Sequence, residues 1–150
     1  MKRAVPIVAA FLAAGVAASA NAQMKPEDYA AYRKGVMQGQ RQNLTPLAGM
    51  AQGRVPYNKD EAVAKAQRLE TLIALQLDGF VAGSEGASNT RALPAAFTDS
   101  AKLQQANKAA VAEAGNLVKA AQAGSADALK PAVSALVKQC DSCHDSFRGK

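Results

Sequence analysis

The chain has 150 residues, with 18 lysines and arginines, 12 aspartates and glutamates, one histidine, no tryptophan and a formal net charge of +6. This length suits one domain and is too short for two domains with separate cores. The basic residues are scattered singly, without a lysine- or arginine-rich run, which argues against a nucleic-acid-binding protein.

The first 22 residues have the pattern of a secretory signal peptide. Met1–Arg3 is a short basic segment, Val5–Val16 is apolar, and Ala20-Asn21-Ala22 has the small residues of a signal peptidase site. The apolar run is too short for a comfortable membrane span, and no second candidate follows it. We therefore predict a periplasmic protein without a membrane anchor, whose mature domain covers residues 23–150.

Alanine is almost as frequent in the mature part as all the larger apolar residues together. Alanine favours helices, but it fills little volume, and protein cores are close-packed. Such a composition predicts helices that approach each other closely, or a bundle that encloses a bulky group which the sequence does not encode.

Two helices are predicted in the first half of the mature domain. The first begins at Pro26 and runs to about Gly49, and Pro46 is expected to bend it or end it earlier. The second has Asn58 as its N-cap, with a glutamate three residues later that completes a capping box, and ends at Gly79. Its apolar face consists of Ala62, Ala66, Leu69, Ile73, Leu77 and Phe80.

Two more helices follow a long connection over residues 81–97. The third begins at residues 98–99 and ends at Gly124, and the fourth begins at Ser125 or at Pro131. The apolar face of the fourth consists of Leu129, Val133, Leu136, Cys140, Cys143 and Phe147. Four helices with short links and one crossover predict an all-α fold, an antiparallel four-helix bundle.

The segment Cys140-Asp141-Ser142-Cys143-His144 carries a specific chemical signature. Two cysteines three residues apart, followed directly by a histidine, are the attachment pattern of c-type haem. Thiols one helical turn apart can each form a thioether with a vinyl group of the haem, and the adjacent imidazole can reach the iron. The motif therefore predicts one covalent haem c, attached through Cys140 and Cys143, with His144 as an iron ligand.

Three other interpretations of the cysteines stay open. A structural zinc site needs about four protein ligands, and the chain has only two cysteines and one histidine. A redox-active dithiol usually lies at a helix N-terminus, whereas this pair falls in the last turns of a helix. A disulfide, or a pair of core cysteines beside a surface histidine, is compatible with an oxidising compartment. A protein of this last kind would be a haem-free helical adaptor.

The motif stands together with two other segments. The three are Lys25–Asp28 leading into Tyr32-Arg33, the crossover from Phe80 to Phe97 with Gly83-Ser84-Glu85-Gly86, and Cys140–Arg148. On these segments the chain resembles the class II c-type cytochromes, the cytochrome c′ family, over essentially the whole mature domain. The specific mark is a haem motif at the end of the last helix.

The resemblance implies roles for basic residues around the haem. Arg33 matches an arginine that approaches the haem propionates, a contact that a charge-assisted bidentate pair would suit. Arg148 matches an arginine beside the proximal imidazole. Lys34 stands where relatives often have glutamine, and Arg91 is a candidate for contact with the haem edge. For Lys34 and Arg91, an ordinary solvated surface charge is the alternative.

The ligand opposite His144 decides between two functions. His144 is the only histidine, so a second imidazole from the same chain is excluded. Met37 lies one helical turn after Arg33, and the resemblance places it at the distal position, where low-spin electron carriers have an iron-ligating methionine. We therefore expect a single-electron carrier with His144 and Met37 as axial ligands. In the alternative, Met37 only packs over the distal face.

The alternative function is a five-coordinate haem protein that binds nitric oxide or carbon monoxide, for sensing, storage or detoxification. No nucleophile with an adjacent base is evident, so an enzyme is not expected. The positive net charge predicts transient, salt-sensitive contacts with acidic redox partners. The resemblance adds a homodimer as a further expectation.

Overall fold

The computed structural model describes residues 24–87 and 90–150, so the predicted signal peptide lies outside the described residues. The elements in chain order are α1 (Pro26–Ala51), α2 (Lys59–Leu75), a 3₁₀ helix (Gln76–Gly79), α3 (Ala95–Thr98), α4 (Ser100–Ala123) and α5 (Ala126–Phe147). Over the described ranges the chain has no β-strand, and the predicted all-α class is confirmed.

The four long helices form a bundle in which each packs against two others. α1 contacts α2 and α5, and α4 contacts the same two helices. α2 and α4 run antiparallel, because Lys59 lies beside Gly124 at one end while Gln76 hydrogen-bonds Asn107 near the other. The predicted four-helix bundle is therefore confirmed.

Side-chain caps begin three of the long helices. The side chains of Asn58, Asp99 and Ser125 each accept a hydrogen bond from the backbone N–H three residues later, over 3.0, 3.1 and 3.2 Å. These bonds satisfy N–H groups that have no partner within the helix. Ser125, and not Pro131, is therefore the start of α5, and Pro131 lies inside it.

Two predicted helix ends need correction. Pro46 does not end α1, which continues to Ala51. The proline removes one backbone donor, but the turn that follows it buries Leu47 and Met50 in the core, which favours continuing the helix. The second helix reaches Gly79 only as a 3₁₀ helix, since its α-helical part ends at Leu75.

Backbone hydrogen bonds join the crossover to the end of α5. The N–H of Leu93 donates to the carbonyl of Phe147 over 2.8 Å, and the N–H of Gly149 donates to the carbonyl of Arg91 over 2.7 Å. The crossover is thereby held beside the last turn of α5, where the haem motif lies.

The buried apolar residues form two clusters. The smaller consists of Ala96, Leu103 and Phe147. The larger consists of Leu47, Met50, Ala51, Ala62, Ala66, Leu69, Ile73, Ala110, Ala114, Leu117, Ala121, Leu129, Val133 and Leu136. The predicted face of α5 serves both clusters, with Cys140 and Cys143 only partly buried between them. No helix within the described ranges is long and apolar enough to cross a membrane.

Replacing Leu136 with alanine tests the packing of α5. Leu136 is fully buried, whereas Leu75 is 42% exposed and serves as a matched control. We expect Leu136→Ala to lower the free energy of unfolding by about 2–5 kcal/mol, because it leaves a cavity. Leu75→Ala should change it by about 0.5 kcal/mol or less. Urea unfolding of the haem-loaded protein measures both, and equal losses would contradict the assigned core.

Candidate functional site

A cavity of about 680 Å³ lies between α1, the 3₁₀ helix, the crossover, α4 and α5. This volume is within the range of sites that bind cofactors. All the residues predicted to act at the site line it: Cys140, Cys143, His144, Met37, Arg33, Lys34, Arg91 and Arg148.

The two cysteines are unpaired, and both are partly buried at the cavity wall. Burial raises the pKa of both thiols, and the charge of Asp141 raises that of Cys140 further. A raised pKa is the opposite of what activates a redox dithiol. In residues 24–87 and 90–150, no group of three or more His, Cys, Asp or Glu could hold a metal ion. The zinc, dithiol and disulfide interpretations therefore find no support here.

His144 lies in the last turn of α5 and is partly buried. Burial lowers its pKa, and the charge of Arg148 lowers it further, against opposite effects of Asp141 and Asp145. A lowered pKa favours the neutral imidazole at neutral pH, which is the form that binds a metal.

Arg33 is 5% exposed and binds four acceptors with its two terminal nitrogens. Nη1 donates to the carbonyl of Gly79 and, over 2.8 Å, to Oγ of Ser84. Nη2 donates to the carbonyl of Ser84 and to Oγ1 of Thr90, both over 3.1 Å. Arg33 therefore joins α1 to the 3₁₀ helix and to the crossover. Sequence periodicity does not reveal these partners, which lie 46 to 57 positions from Arg33 along the chain.

The positive charge of Arg33 has no carboxylate partner among the described residues. Its four hydrogen-bond acceptors are neutral, and the ion pair found within the described ranges joins Lys65 to Glu61 elsewhere. Burial lowers the pKa of Arg33, because a buried charge without a counter-ion is costly. None of these bonds uses the Nε–H of Arg33. The contact between Arg33 and a haem propionate stays a prediction.

Four further basic residues lie exposed at the cavity wall: Lys34, Arg41, Arg91 and Arg148. Nε of Arg91 donates to the carbonyl of Gly149 over 3.1 Å, which anchors it beside the chain end. Arg41 was not singled out in the sequence, although it lies two turns after Lys34 on α1.

Met37 is partly buried on α1 and lines the same cavity as His144 on α5. Both also line a small adjoining chamber of about 30 Å³, which both cysteines border as well. The structure thus brings together the two side chains that were predicted to be axial ligands.

Three amides that the sequence analysis missed also line the cavity: Gln40, Gln76 and Asn107. Gln40 and Gln76 are only 9% and 8% exposed. Gln40 lies one turn beyond Met37, so a glutamine on the face that carries Arg33 and Met37 is the signal that could have revealed it.

The groups at this cavity fit a covalently attached haem. Two thiols one turn apart can form the thioethers, and a neutral imidazole follows directly. The buried charge of Arg33 lacks the carboxylate that a haem propionate would supply.

Comparison with known proteins supports the same assignment. A family model described as Cytochrome C′ matches residues 28–148. Cytochrome c′ of Alcaligenes xylosoxydans xylosoxydans is 31% identical over 126 residues, which cover 84% of this chain and 97% of the relative. Cytochrome c′ of Rubrivivax gelatinosus is 30% identical over 126 residues, covering 84% and 98%.

Solved structures of cytochromes c′ share the fold. The Rubrivivax gelatinosus protein aligns with a TM-score of 0.78 at 30% identity, covering 83% of this chain and 98% of that one. A nitric oxide complex of a point mutant of the Alcaligenes xylosoxidans protein aligns with a TM-score of 0.79 at 30% identity, covering 85% and 99%. Another variant of that protein is a ferrous form with bound nitric oxide.

These relatives overturn the expected function. They are cytochromes c′, two of the structures hold nitric oxide, and none is a low-spin carrier by name. The expectation of a single-electron carrier with His144 and Met37 as axial ligands is therefore wrong. The resemblance implies a distal position for Met37, but that position does not distinguish a ligand from an adaptable packing residue.

Replacing Ser84 with alanine tests whether Arg33 secures the crossover. Ser84 is 1% exposed, accepts from Nη1 of Arg33 and donates to the carbonyl of Val81 over 2.7 Å. We expect a loss of about 1.5–3 kcal/mol in the free energy of unfolding, the usual range for a hydrogen bond to a charged group. Ser134→Ala, at an exposed position of α5, is the control and should change it by about 0.5 kcal/mol or less. Urea unfolding of both haem-loaded variants gives the comparison, and equal stabilities would contradict the role of Arg33.

Proposed function

This chain belongs to the cytochrome c′ family, and from that premise we propose that it is a five-coordinate haem protein that binds nitric oxide or carbon monoxide. The observation that carries the proposal is the cavity itself, which places His144 and the two cysteines on one wall and Met37 on another. Relatives of the same fold bind nitric oxide, as their structures with this ligand demonstrate for them.

The family carries one covalent haem c, and this chain has the residues to hold it. The thiols of Cys140 and Cys143 would hold this haem through two thioethers. The imidazole of His144 would bind the iron, and its lowered pKa favours the neutral form that can do so. An iron with one axial ligand supplies an open position for a diatomic gas.

Met37 acts in this proposal as a cover over the distal face. Methionine is flexible and fills irregular apolar gaps without a fixed geometry. A partly buried thioether that packs over the open position restricts the space for a ligand and excludes larger molecules. Selection by size is then the contribution of Met37.

The proposal includes the cellular setting. Residues 1–22 direct export, the mature domain acts in the periplasm, and the thioethers form there. The protein binds its ligand without turning over a substrate. Transient contacts with acidic proteins that reduce the haem follow from the net positive charge. Homodimer formation is part of the same proposal.

Carbon monoxide binding to the reduced, haem-loaded protein tests the proposed function. We expect the wild-type protein to bind it, and Met37→Ala to bind it with about tenfold higher affinity. That factor corresponds to about 1.4 kcal/mol of relieved steric cost. Met24→Ala is the control, because Met24 is 46% exposed and lies outside the cavity.

The measurement is an optical titration of each ferrous protein with dissolved carbon monoxide. A wild-type protein that binds only after Met37 is removed would have its methionine on the iron, and the proposal would fail. A Met24 variant that gains as much affinity as the Met37 variant would remove the role assigned to Met37.

A further inference from the structure

Gln40 is a buried amide whose nitrogen is fully used. It is 9% exposed and lies on α1, one helical turn beyond Met37. Its Nε2 donates to the carbonyl of Leu72 over 3.2 Å and to Oε1 of Gln76 over 3.0 Å. A backbone carbonyl only accepts, so the bond to Leu72 fixes which end of the amide is the nitrogen. Both N–H groups of the Gln40 side chain therefore have partners.

The side-chain oxygen of Gln40 has no such partner. Within residues 24–87 and 90–150, no group donates a hydrogen bond to Oε1 of Gln40. Every side-chain nitrogen or oxygen that is sealed from solvent in these ranges has a partner, so Oε1 is in contact with open space. The open spaces that Gln40 borders are the large cavity and the small chamber that adjoins it. Gln40 thus presents a hydrogen-bond acceptor to these spaces.

The small chamber places Gln40 beside both axial walls of the site. Met37 and Gln40 border it from α1, and His144 borders it from α5 together with both cysteines. Gln40 therefore lies on the wall of Met37 and faces the wall of His144. Gln76 and Gln139 also border the chamber, and the oxygen of Gln76 is occupied by its bond from Gln40.

An acceptor oxygen beside a gas-binding position distinguishes diatomic ligands by their charge. A diatomic gas at a ferrous haem takes up electron density, and dioxygen takes up more of it than carbon monoxide does. The polarity of the distal pocket decides which of these ligands is favoured. A lone pair that faces the ligand repels this density, and the repulsion is stronger where water is excluded. Such an oxygen therefore penalises dioxygen more than carbon monoxide.

We propose that Gln40 is a specificity-determining residue of the gas site, whose amide oxygen disfavours dioxygen relative to carbon monoxide. The bonds of Nε2 to Leu72 and Gln76 hold this oxygen in place. The inference rests on the proposed function, because it concerns ligands at the same open position. It is distinct from the role of Met37, since selection by size does not separate two diatomic gases.

The infrared C–O stretching frequency of the ferrous carbon monoxide complex tests the position of this oxygen. A negative oxygen near the ligand opposes electron donation into it and raises the frequency. We therefore expect Gln40→Leu, which keeps a similar size without the oxygen, to lower the frequency. Gln40→Met repeats the test with a more flexible side chain. Gln38→Leu is the matched control, because exposed Gln38 lines the large cavity but not the chamber.

A third variant separates this role from a structural one. Asn107 accepts a hydrogen bond from Nε2 of Gln76 and lines only the large cavity. Asn107→Leu removes that bond but leaves both bonds of the Gln40 side chain. It should lower the free energy of unfolding without moving the C–O frequency.

Flash photolysis of the carbon monoxide complex in a mixture of the two gases measures the selectivity itself. Light removes carbon monoxide, and both gases then compete for the ferrous protein before it oxidises. We expect Gln40→Leu to capture dioxygen, relative to carbon monoxide, at least about threefold better than the wild-type protein does.

The outcomes distinguish the two proposals. If carbon monoxide binds but Gln40→Leu leaves the frequency unchanged, or the control variants shift it equally, the role of Gln40 alone is overturned. A higher frequency would reveal a donor, such as the second N–H of Gln76 or the amide of Gln139, and would also overturn it. A lower frequency without better capture of dioxygen would overturn the selection against dioxygen. Failure of the wild-type protein to bind carbon monoxide would overturn the proposed function and this inference together.

Discussion

The buried guanidinium of Arg33 is the interaction on which the site depends. It reaches from α1 to Gly79 and Ser84 and so connects three parts of the chain that are distant in sequence. Its charge is removed from water without a carboxylate among the described residues, which is an unfavourable arrangement in the protein alone. An anionic group in the adjoining cavity would relieve it, so the residue that closes the fold around the cavity would also favour an occupant with carboxylates.

The bundle has both of the features that the alanine-rich composition suggested, close helix packing and space for a bulky group. At one end of the bundle, fully buried alanines such as Ala62, Ala66 and Ala114 allow close packing of the helices. At the other end the helices leave a cavity of about 680 Å³, which Ala30 and Ala92 line together with many larger side chains. The haem motif at the end of α5 opens onto that cavity, so the volume that the side chains do not fill is next to the thiols that attach the cofactor.

Local sequence signals predict the helix starts and the apolar face of α5. Contacts between residues distant in sequence determine the other features of the fold and the site. The caps at Asn58 and Ser125 and the face of α5 depend on neighbours within one or two turns, and the structure has them as predicted. The continuation of α1 through Pro46 depends instead on burial of residues against other helices. The hydrogen bonds of Gln40 with Gln76 and of Arg33 with Ser84 join residues more than thirty positions apart, so no periodicity reveals them. The sequence does not distinguish a ligand role from a packing role for Met37, because both have the same spacing.

The absorption spectrum of the purified, haem-loaded protein, oxidised and then reduced at neutral pH, tests the central claim most directly. An open position on the iron predicts a high-spin charge-transfer feature in the oxidised form and a broad, unsplit visible band after reduction. A sharp pair of split bands after reduction would show an iron with two axial ligands. Met37 would then be the group that binds it, and the account of a gas-binding site would be contradicted.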